Sequence, residues 1–238
     1  MTQINILSDK NALIESATVF IIDRIKSSIE LTNRCTIALA GGSTPKPIYE
    51  AIAKTDLPWD KIHVFWGDER YVLPTDPDSN EKMAREAWLN KVNIPYTNIH
   101  PMPTDGENPD TDAQKHNRQI LDFFGLASGF PSFDIVLLGM GDDGHTASLF
   151  PHTQALQVCD RLVTVGNRGD SLRLTFTVPL INQANCVIFL VAGSNKQQAL
   201  KEVFSETGNP HQYPSKLINP QGELIWFMDE EASMSTNN

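Results

Sequence analysis

The sequence predicts an α/β fold on a mostly parallel sheet, and three observations carry that reading. Four short runs, TIALA (36–40), KIHVFWGDER (61–70), FDIVLLGMG (133–141) and CVIFLVAG (186–193), are apolar on both faces. Strands buried between two layers read this way, whereas one-sided strands alternate. Stretches of helical apolar spacing separate the runs and supply crossovers. Finally, strand, glycine-containing loop and helix recur at 36–53, 133–150 and 186–205, with the GDER turn as a fourth strand end. In an open parallel sheet such loops share the carboxyl edge, where ligands bind at the topological switch. Segments a hundred residues apart can then line one cleft.

Taken in order, residues 8–32 place Ala12, Leu13, Ala17, Phe20, Ile21, Ile25 and Ile29 at helical spacing behind Ser8 as the cap. The first apolar run follows, then a helix over 45–53 opened by Pro45 behind a hydroxyl. The second run leads to a helix over 79–91, with Asp78 and Glu81 three residues apart as its capping box. The stretch 94–112, with Pro95, Pro101, Pro103 and Pro109, reads as a surface excursion with a short strand near Ile99. A helix over 111–125 precedes the third run. Strands over 162–166 and 172–178, the fourth run, a helix over 195–205 and a strand over 223–228 complete one domain spanning 1–238, with a frayed tail at 232–238.

The chain has 238 residues, with 19 Lys+Arg against 29 Asp+Glu and a formal charge of −10. An acidic balance argues against nucleic acid or an anionic membrane as partner, since both need a basic footprint. An anionic ligand would need cations gathered locally. The first thirty residues hold no apolar run longer than Ala17–Ile22, so neither a signal peptide nor a membrane span is expected. A cytoplasmic location is the expectation. Cys35, Cys159 and Cys186 are widely spaced, two of them opening apolar runs, which predicts inert thiols and no disulfide frame. The histidines show no metal-ligand spacing, so no metal site is expected.

In LAGGSTPKPIYEAI (39–52), Gly41 and Gly42 allow backbone to approach a ligand. Free N–H groups at a helix start favour an anion there, or the segment is only a tight turn. GMGDDGH (139–145) contains G-x-G-x-x-G. Two aspartates inside the loop would repel a pyrophosphate, and Asp160 precedes its strand instead of closing it, which speaks against a dinucleotide site. The alternative is His145 as a general base beside Asp143, against a histidine merely bonded within a loop. Arg70 at a strand end suits bidentate phosphate contact, unless it pairs with Asp68 or Glu69. Arg168, Arg173 and Lys196 lie at other predicted edge loops, where each alone reads as a surface charge and together they make an anion pocket.

These segments together resemble the 6-phosphogluconolactonase family, related to glucosamine-6-phosphate isomerases and deaminases. The match runs through AGGSTP (40–45), WGDERYV (66–72), DPDSN (76–80), GMGDDGHTASLFP (139–151), LRLTFTVPLIN (172–182), AGSNKQQAL (192–200) and GELIWFMDEEA (222–232). The resemblance implies a Rossmann-like α/β/α sandwich and hydrolysis of 6-phospho-D-glucono-1,5-lactone in the pentose phosphate pathway, without metal or organic cofactor. It places the catalytic base on His145 with Asp143 orienting it. Phosphate contacts fall on Gly42, Ser43 and Thr44 with Arg70, Arg173 and Lys196, while Asp68 faces the sugar. Arg168 lies in the least family-like stretch and is left out. Backbone N–H groups of the glycine loops are the expected oxyanion donors. The isomerase branch reads D-E-Y where this chain has Asp68-Glu69-Arg70, and carries a glutamate where Phe150 stands. An isomerase or deaminase, or a non-catalytic sugar-phosphate-binding module, are the rival readings. Monomer and homodimer both stay open.

Overall fold

The computed structural model describes residues 2–233. In chain order it runs β1 (Thr2–Leu7), α1 (Lys10–Thr32), β2 (Cys35–Leu39), α2 (Pro45–Ile52), β3 (Ile62–Trp66), β4 (Asp68–Arg70) and α3 (Asn80–Ala87). Then follow α4 (Pro109–Phe124), β5 (Ile135–Leu138), β6 (Val163–Arg168), β7 (Ser171–Phe176), α5 (Val178–Asn182), β8 (Cys186–Val191), α6 (Gln197–Phe204), β9 (Glu223–Asp229) and α7 (Glu230–Ser233). Six strands form one parallel sheet in the order β1-β9-β8-β5-β2-β3.

Period-two alternation divides the sheet's side chains between two cores. Ile37, Leu39, Ile135, Leu137, Ile188, Leu190, Ile225 and Phe227 face α1, α2 and α3. Ala38, Val136, Leu138, Val187, Phe189, Val191, Leu224 and Trp226 face α4, α5 and α6. Every residue of β2, β5 and β8 is buried, which is why those runs carry no alternation. The result is the α/β/α sandwich with a mostly parallel central sheet. Adjacent β2 and β5 send their chains to opposite faces, α2 to one core and α4-side elements to the other, so the switch point lies between them.

Several local expectations are corrected. The run at 61–70 breaks at Gly67, and its second half, β4, joins β7 and β6 in a separate antiparallel sheet. The strands expected over 162–166 and 172–178 are β6 and β7 of that sheet, a hairpin turning at Gly169, whose φ is 59°, and Val178 already opens α5. The cap of α1 is Asp9, not Ser8: its Oδ1 accepts from the N–H groups of Asn11 and Ala12 at 2.8 and 2.9 Å. The predicted capping box gives way to Ser79, whose Oγ accepts from Lys82 N–H at 3.1 Å, while Glu81 pairs with Arg85 at 2.7 Å. The excursion ends earlier than 112, because Asn108 caps α4 and Pro109 opens it. Ile99 makes one parallel bridge to Val64. Ala232 and Ser233, expected in the tail, are buried in α7, and the rest of that tail lies outside the described residues. Strand β1 had no sequence signal, since TQINIL is a half-exposed edge strand. Among the described residues no helix is long and apolar enough to cross a membrane.

His100 and His116 are packed beneath the second core. Burial pushes both down to about 4, helped at His100 by its neighbours His63 and His116, and opposed at His116 by a bond to Gln119. These values lie below the ordinary 6.5, so between those limits the unfolded chain binds protons that the folded chain refuses. Stability therefore falls as pH drops from about 6.5 towards 4, chiefly through the fully buried His116, since His100 is partly open to solvent. His116→Leu removes one such group while keeping apolar volume. Its urea midpoint should decline less steeply between about pH 7 and 4.5 than that of the parent chain, and parallel slopes would contradict the linkage.

Candidate active site

Two adjoining cavities open at the carboxyl edge of the sheet, at the switch point. One, of about 240 Å³, is lined by Asp68, Arg70, Asn80, the loop Gly139–Gly141, His145, Ala147, Arg173 and Lys196. The other, of about 450 Å³, takes in Lys10, Gly42, Ser43, Thr44, Asn195, Lys196 and Glu231. Gly41, Gly139, Met140 and Lys196 belong to both.

His145 is placed by the loop that leaves β5. The Gly141 N–H donates to the His145 carbonyl at 2.8 Å and the Gly144 N–H to the Gly141 carbonyl at 3.2 Å, closing a compact turn. A side chain at Gly141 would put its Cβ 2.0 Å from His145 Nδ1, so only glycine leaves room for the ring. Gly144 takes a φ of 78°, and its carbonyl is held at 2.9 Å by both the N–H and Oγ of Ser215. Both loop amides are thereby spent inside the turn, which removes them from the expected oxyanion donors.

Asp143 stands behind the imidazole, outside the residues lining either cavity. Its Oδ1 lies 2.5 Å from His145 Nδ1 and accepts the His145 backbone N–H at 3.1 Å. Burial raises its pKa, but the two hydrogen bonds and the charge attraction of His145 outweigh that and hold it at about 2. The carboxylate is ionised at neutral pH, so in the neutral form of the ring Nδ1 is the nitrogen that carries the proton and Nε2 the one with the lone pair. On its other side the imidazole packs against Phe150, ring centroids 4.5 Å apart. The guanidiniums of Arg173 and Arg168 lie over that same phenyl ring, 5.5 and 6.0 Å from its centroid.

The cations arrive by β-pairing. Arg70 on β4 lies directly opposite Arg173 on β7, so two like charges share one face. Such a pair is unfavourable unless counter-charge is near. Asp68, two residues from Arg70 on the same face, is buried and accepts from Ser148 Oγ at 2.6 Å. Arg173 Nε is buried with no hydrogen-bond partner among the described residues. Burial lowers its pKa first, Asp68 and Glu69 oppose this, and Arg70 and Arg168 add repulsion. A guanidinium stays charged under such pressure, so an anion is the partner this arrangement lacks. Arg70 is partly committed, its Nη1 donating to the Asp78 carbonyl at 2.8 Å and to Asn80 Oδ1.

Glu69 does not pair with Arg70's guanidinium. Its buried carboxylate accepts from the N–H groups of Arg70, Asn80 and Glu81 at 2.8, 2.7 and 2.7 Å and from Ser79 Oγ at 3.1 Å. It caps α3 from another element. Burial pushes it up to about 7 against those backbone bonds, with Asp68 adding repulsion.

At the second cavity Gly42 has a φ of 108°, and Thr44 makes no side-chain capping bond, contrary to the expected hydroxyl cap. The first N–H groups of α2 are then not covered by Thr44's own side chain. Lys196 ends a single turn after Gly193, whose N–H is held by the buried Asp229 carboxylate at 3.0 and 3.1 Å. The structure thus divides the expected phosphate ligands. Arg70 and Arg173 stand with His145, Gly42–Thr44 stand in the second cavity, and Lys196 reaches both. Sequence reasoning missed Lys10, Asn80 and Asn195; Arg168, weighed and left out, lines neither cavity but lies over Phe150. Lys10 opens the predicted first helix, where it reads as a surface charge, and Asn80 was absorbed into a capping motif. Among the described residues no group of three or more His, Cys, Asp or Glu is placed to hold a metal ion.

Residues 8–226 match the family model described as glucosamine-6-phosphate isomerases/6-phosphogluconolactonase. The chain is 58% identical to the 6-phosphogluconolactonase of Synechocystis sp., over 97% of this chain and 96% of that one. Its structure is similar to that of 6-phosphogluconolactonase from Thermotoga maritima, with a TM-score of 0.85, 30% identity, and coverage of 96% and 100% of the two chains. It also shares its fold with a monomeric glucosamine-6-phosphate deaminase at a TM-score of 0.83 and 18% identity, covering 98% and 99%. With the match running from the start of α1 into β9, the chain belongs to the glucosamine-6-phosphate isomerase/6-phosphogluconolactonase family.

Proposed function

We propose that this chain opens 6-phospho-D-glucono-1,5-lactone to 6-phospho-D-gluconate, the lactone-hydrolysing step of the pentose phosphate pathway. The observation that carries the reading is the surroundings of His145. It has one carboxylate, Asp143 on Nδ1, and an apolar ring, Phe150, at the position where the isomerase branch needs a second acid. Aldose–ketose isomerisation moves protons between carbons and oxygens and needs that further acid–base group. Lactone hydrolysis needs one activated water.

In this reading the phosphate sits where the two cavities join. Lys196 meets it there, with the Gly42–Ser43–Thr44 turn on one side and Arg70 and Arg173 on the other. The lactone ring occupies the smaller cavity beside Asp68. His145 Nε2 removes a proton from water as its oxygen attacks C1. Asp143 keeps the proton on Nδ1 and stabilises the imidazolium that forms. The tetrahedral intermediate collapses, the C1–ring-oxygen bond breaks, and the imidazolium proton goes to the departing alkoxide. His145 is returned to its neutral state.

The deciding measurement is acid release from freshly generated lactone, above the spontaneous rate, with and without EDTA. EDTA-insensitive hydrolysis is expected; no excess rate, or ammonia release from glucosamine 6-phosphate, would reject the reading in favour of a binding module or a deaminase. His145→Ala should lower kcat by about 10²–10⁴ with little change in affinity for 6-phosphogluconate, and near-normal turnover would remove the histidine from the mechanism. Asp143→Asn leaves the imidazole without its charged partner and should cost kcat in the same direction, by about 10² or more. Arg173→Ala should act chiefly on KM, and a pure kcat effect would move it from phosphate to the reacting carbonyl.

A further inference from the structure

We infer that Asn80 is a positioning residue that aims Arg70 at the substrate's phosphate. The inference rests on the phosphate reading of Arg70 given above and adds the device that sets it. Asn80 is 1% exposed, yet its side chain lies on the wall of the smaller cavity. Its amide is spent in two directions. Nδ2 donates to the Asp68 carbonyl at 2.9 Å, and Oδ1 accepts from Arg70 Nη1. The backbone N–H is anchored separately, on Glu69 Oε1 at 2.7 Å. Three consecutive residues of β4 are therefore tied to one asparagine.

The identity of the residue follows from that work. One end must donate to a carbonyl and the other must accept from a guanidinium, within a single short side chain. A primary amide does both, a carboxylate only accepts, and an ammonium only donates. An uncharged acceptor also orients Arg70 without neutralising it. An aspartate at this position would pair with the guanidinium and compete with phosphate. Glu69, the nearest carboxylate in sequence, is kept from doing so by its four other donors.

The same side chain explains Gly41. A Cβ on Gly41 would lie 1.8 Å from Asn80 Oδ1, 2.4 Å from its Cγ and 2.8 Å from its Nδ2, against an amide already bonded at both ends. Gly41 is thus glycine because Asn80 fills the space beside it, and the anion-binding turn after β2 is packed onto the group that holds Arg70.

The test compares hydrolysis of 6-phosphogluconolactone with that of D-glucono-1,5-lactone, which lacks the phosphate, for Asn80→Ala, Gly41→Ala, the double variant and Arg70→Ala. For Asn80→Ala the ratio of kcat/KM on the phosphorylated to the unphosphorylated lactone should fall about tenfold, most of it in KM, the size of one oriented charge contact. Gly41→Ala should show the same signature. The double variant should be no worse than Asn80→Ala alone, because the added methyl then enters emptied space, whereas independent sites would multiply. An equal loss on both lactones, or multiplying effects, would overturn the inference and leave Asn80 a structural residue. Arg70→Ala separates the two claims. An unchanged ratio there would sink the phosphate reading of Arg70, while a reduced ratio there with none in Asn80→Ala would sink only the positioning role. Should Asn80→Ala not fold, Asn80→Asp keeps the volume and is expected to lower the same ratio.

Discussion

The backbone of Gly67 is shared between two sheets, and the site depends on it. Its N–H donates to the Leu39 carbonyl at 2.9 Å, continuing the parallel ladder, and its carbonyl accepts from Phe176 N–H at 2.8 Å, entering the antiparallel one. At that residue the chain leaves the buried sheet and begins β4. Without the switch Asp68 and Arg70 would prolong β3 away from its neighbours. With it they turn back over the carboxyl edge, where the loops after β2, β5 and β8 deliver Gly41, His145 and Lys196. The small sheet is thus the means by which charged residues are brought against a sheet edge that consists of glycine loops and can supply few charges itself.

An acidic chain has to concentrate cations to hold an anionic substrate, and concentration has an electrostatic cost. The β4–β7 register sets Arg70 against Arg173, with Arg168 near enough to repel Arg173. Asp68 and Glu69 offset part of this, and Phe150 offers its face to two of the guanidiniums. A doubly charged anion placed between them would relieve the remaining repulsion. Preorganisation of this kind favours binding because the cations need not be gathered at the moment of association.

The central sheet was legible because burial on both faces leaves a signal, an uninterrupted apolar run, that survives without knowing the neighbours. The placement of His145, Asp143, Arg70 and Lys196 at the carboxyl edge was legible because each closely follows such a run, whereas Arg173 lies inside β7 and joins them only through its pairing with Arg70. What escaped was whatever depends on a partner distant in sequence. TQINIL gives no sign that it pairs with β9. LVTVG and LRLTFTV look like further parallel strands until their register with Asp68–Arg70 is known. The sequence DPDSNEK contains an acceptable capping box, and the cap of α3 nevertheless comes from Ser79 and from Glu69, because a buried carboxylate ten residues upstream must find donors and the helix start has them to give. Asn80 was invisible for the same reason: an asparagine at a helix start reads as a cap until it is seen reaching the other way.

The division between lactonase and isomerase chemistry shows why the site must be argued apart from the fold. A deaminase superposes on this chain nearly as well as a lactonase does, so backbone geometry leaves the reaction open. The distinction lies in what surrounds one imidazole. With Phe150 against its face, His145 has a single acidic neighbour and a dry flank, suited to taking one proton from water and returning it to the leaving oxygen. A carboxylate in that place would give the imidazole a second charged partner and the pocket a second proton carrier. It would also remove the aromatic face over which Arg173 lies. One side chain thus couples the base to the cations, and a change there alters acid–base equipment and anion binding together.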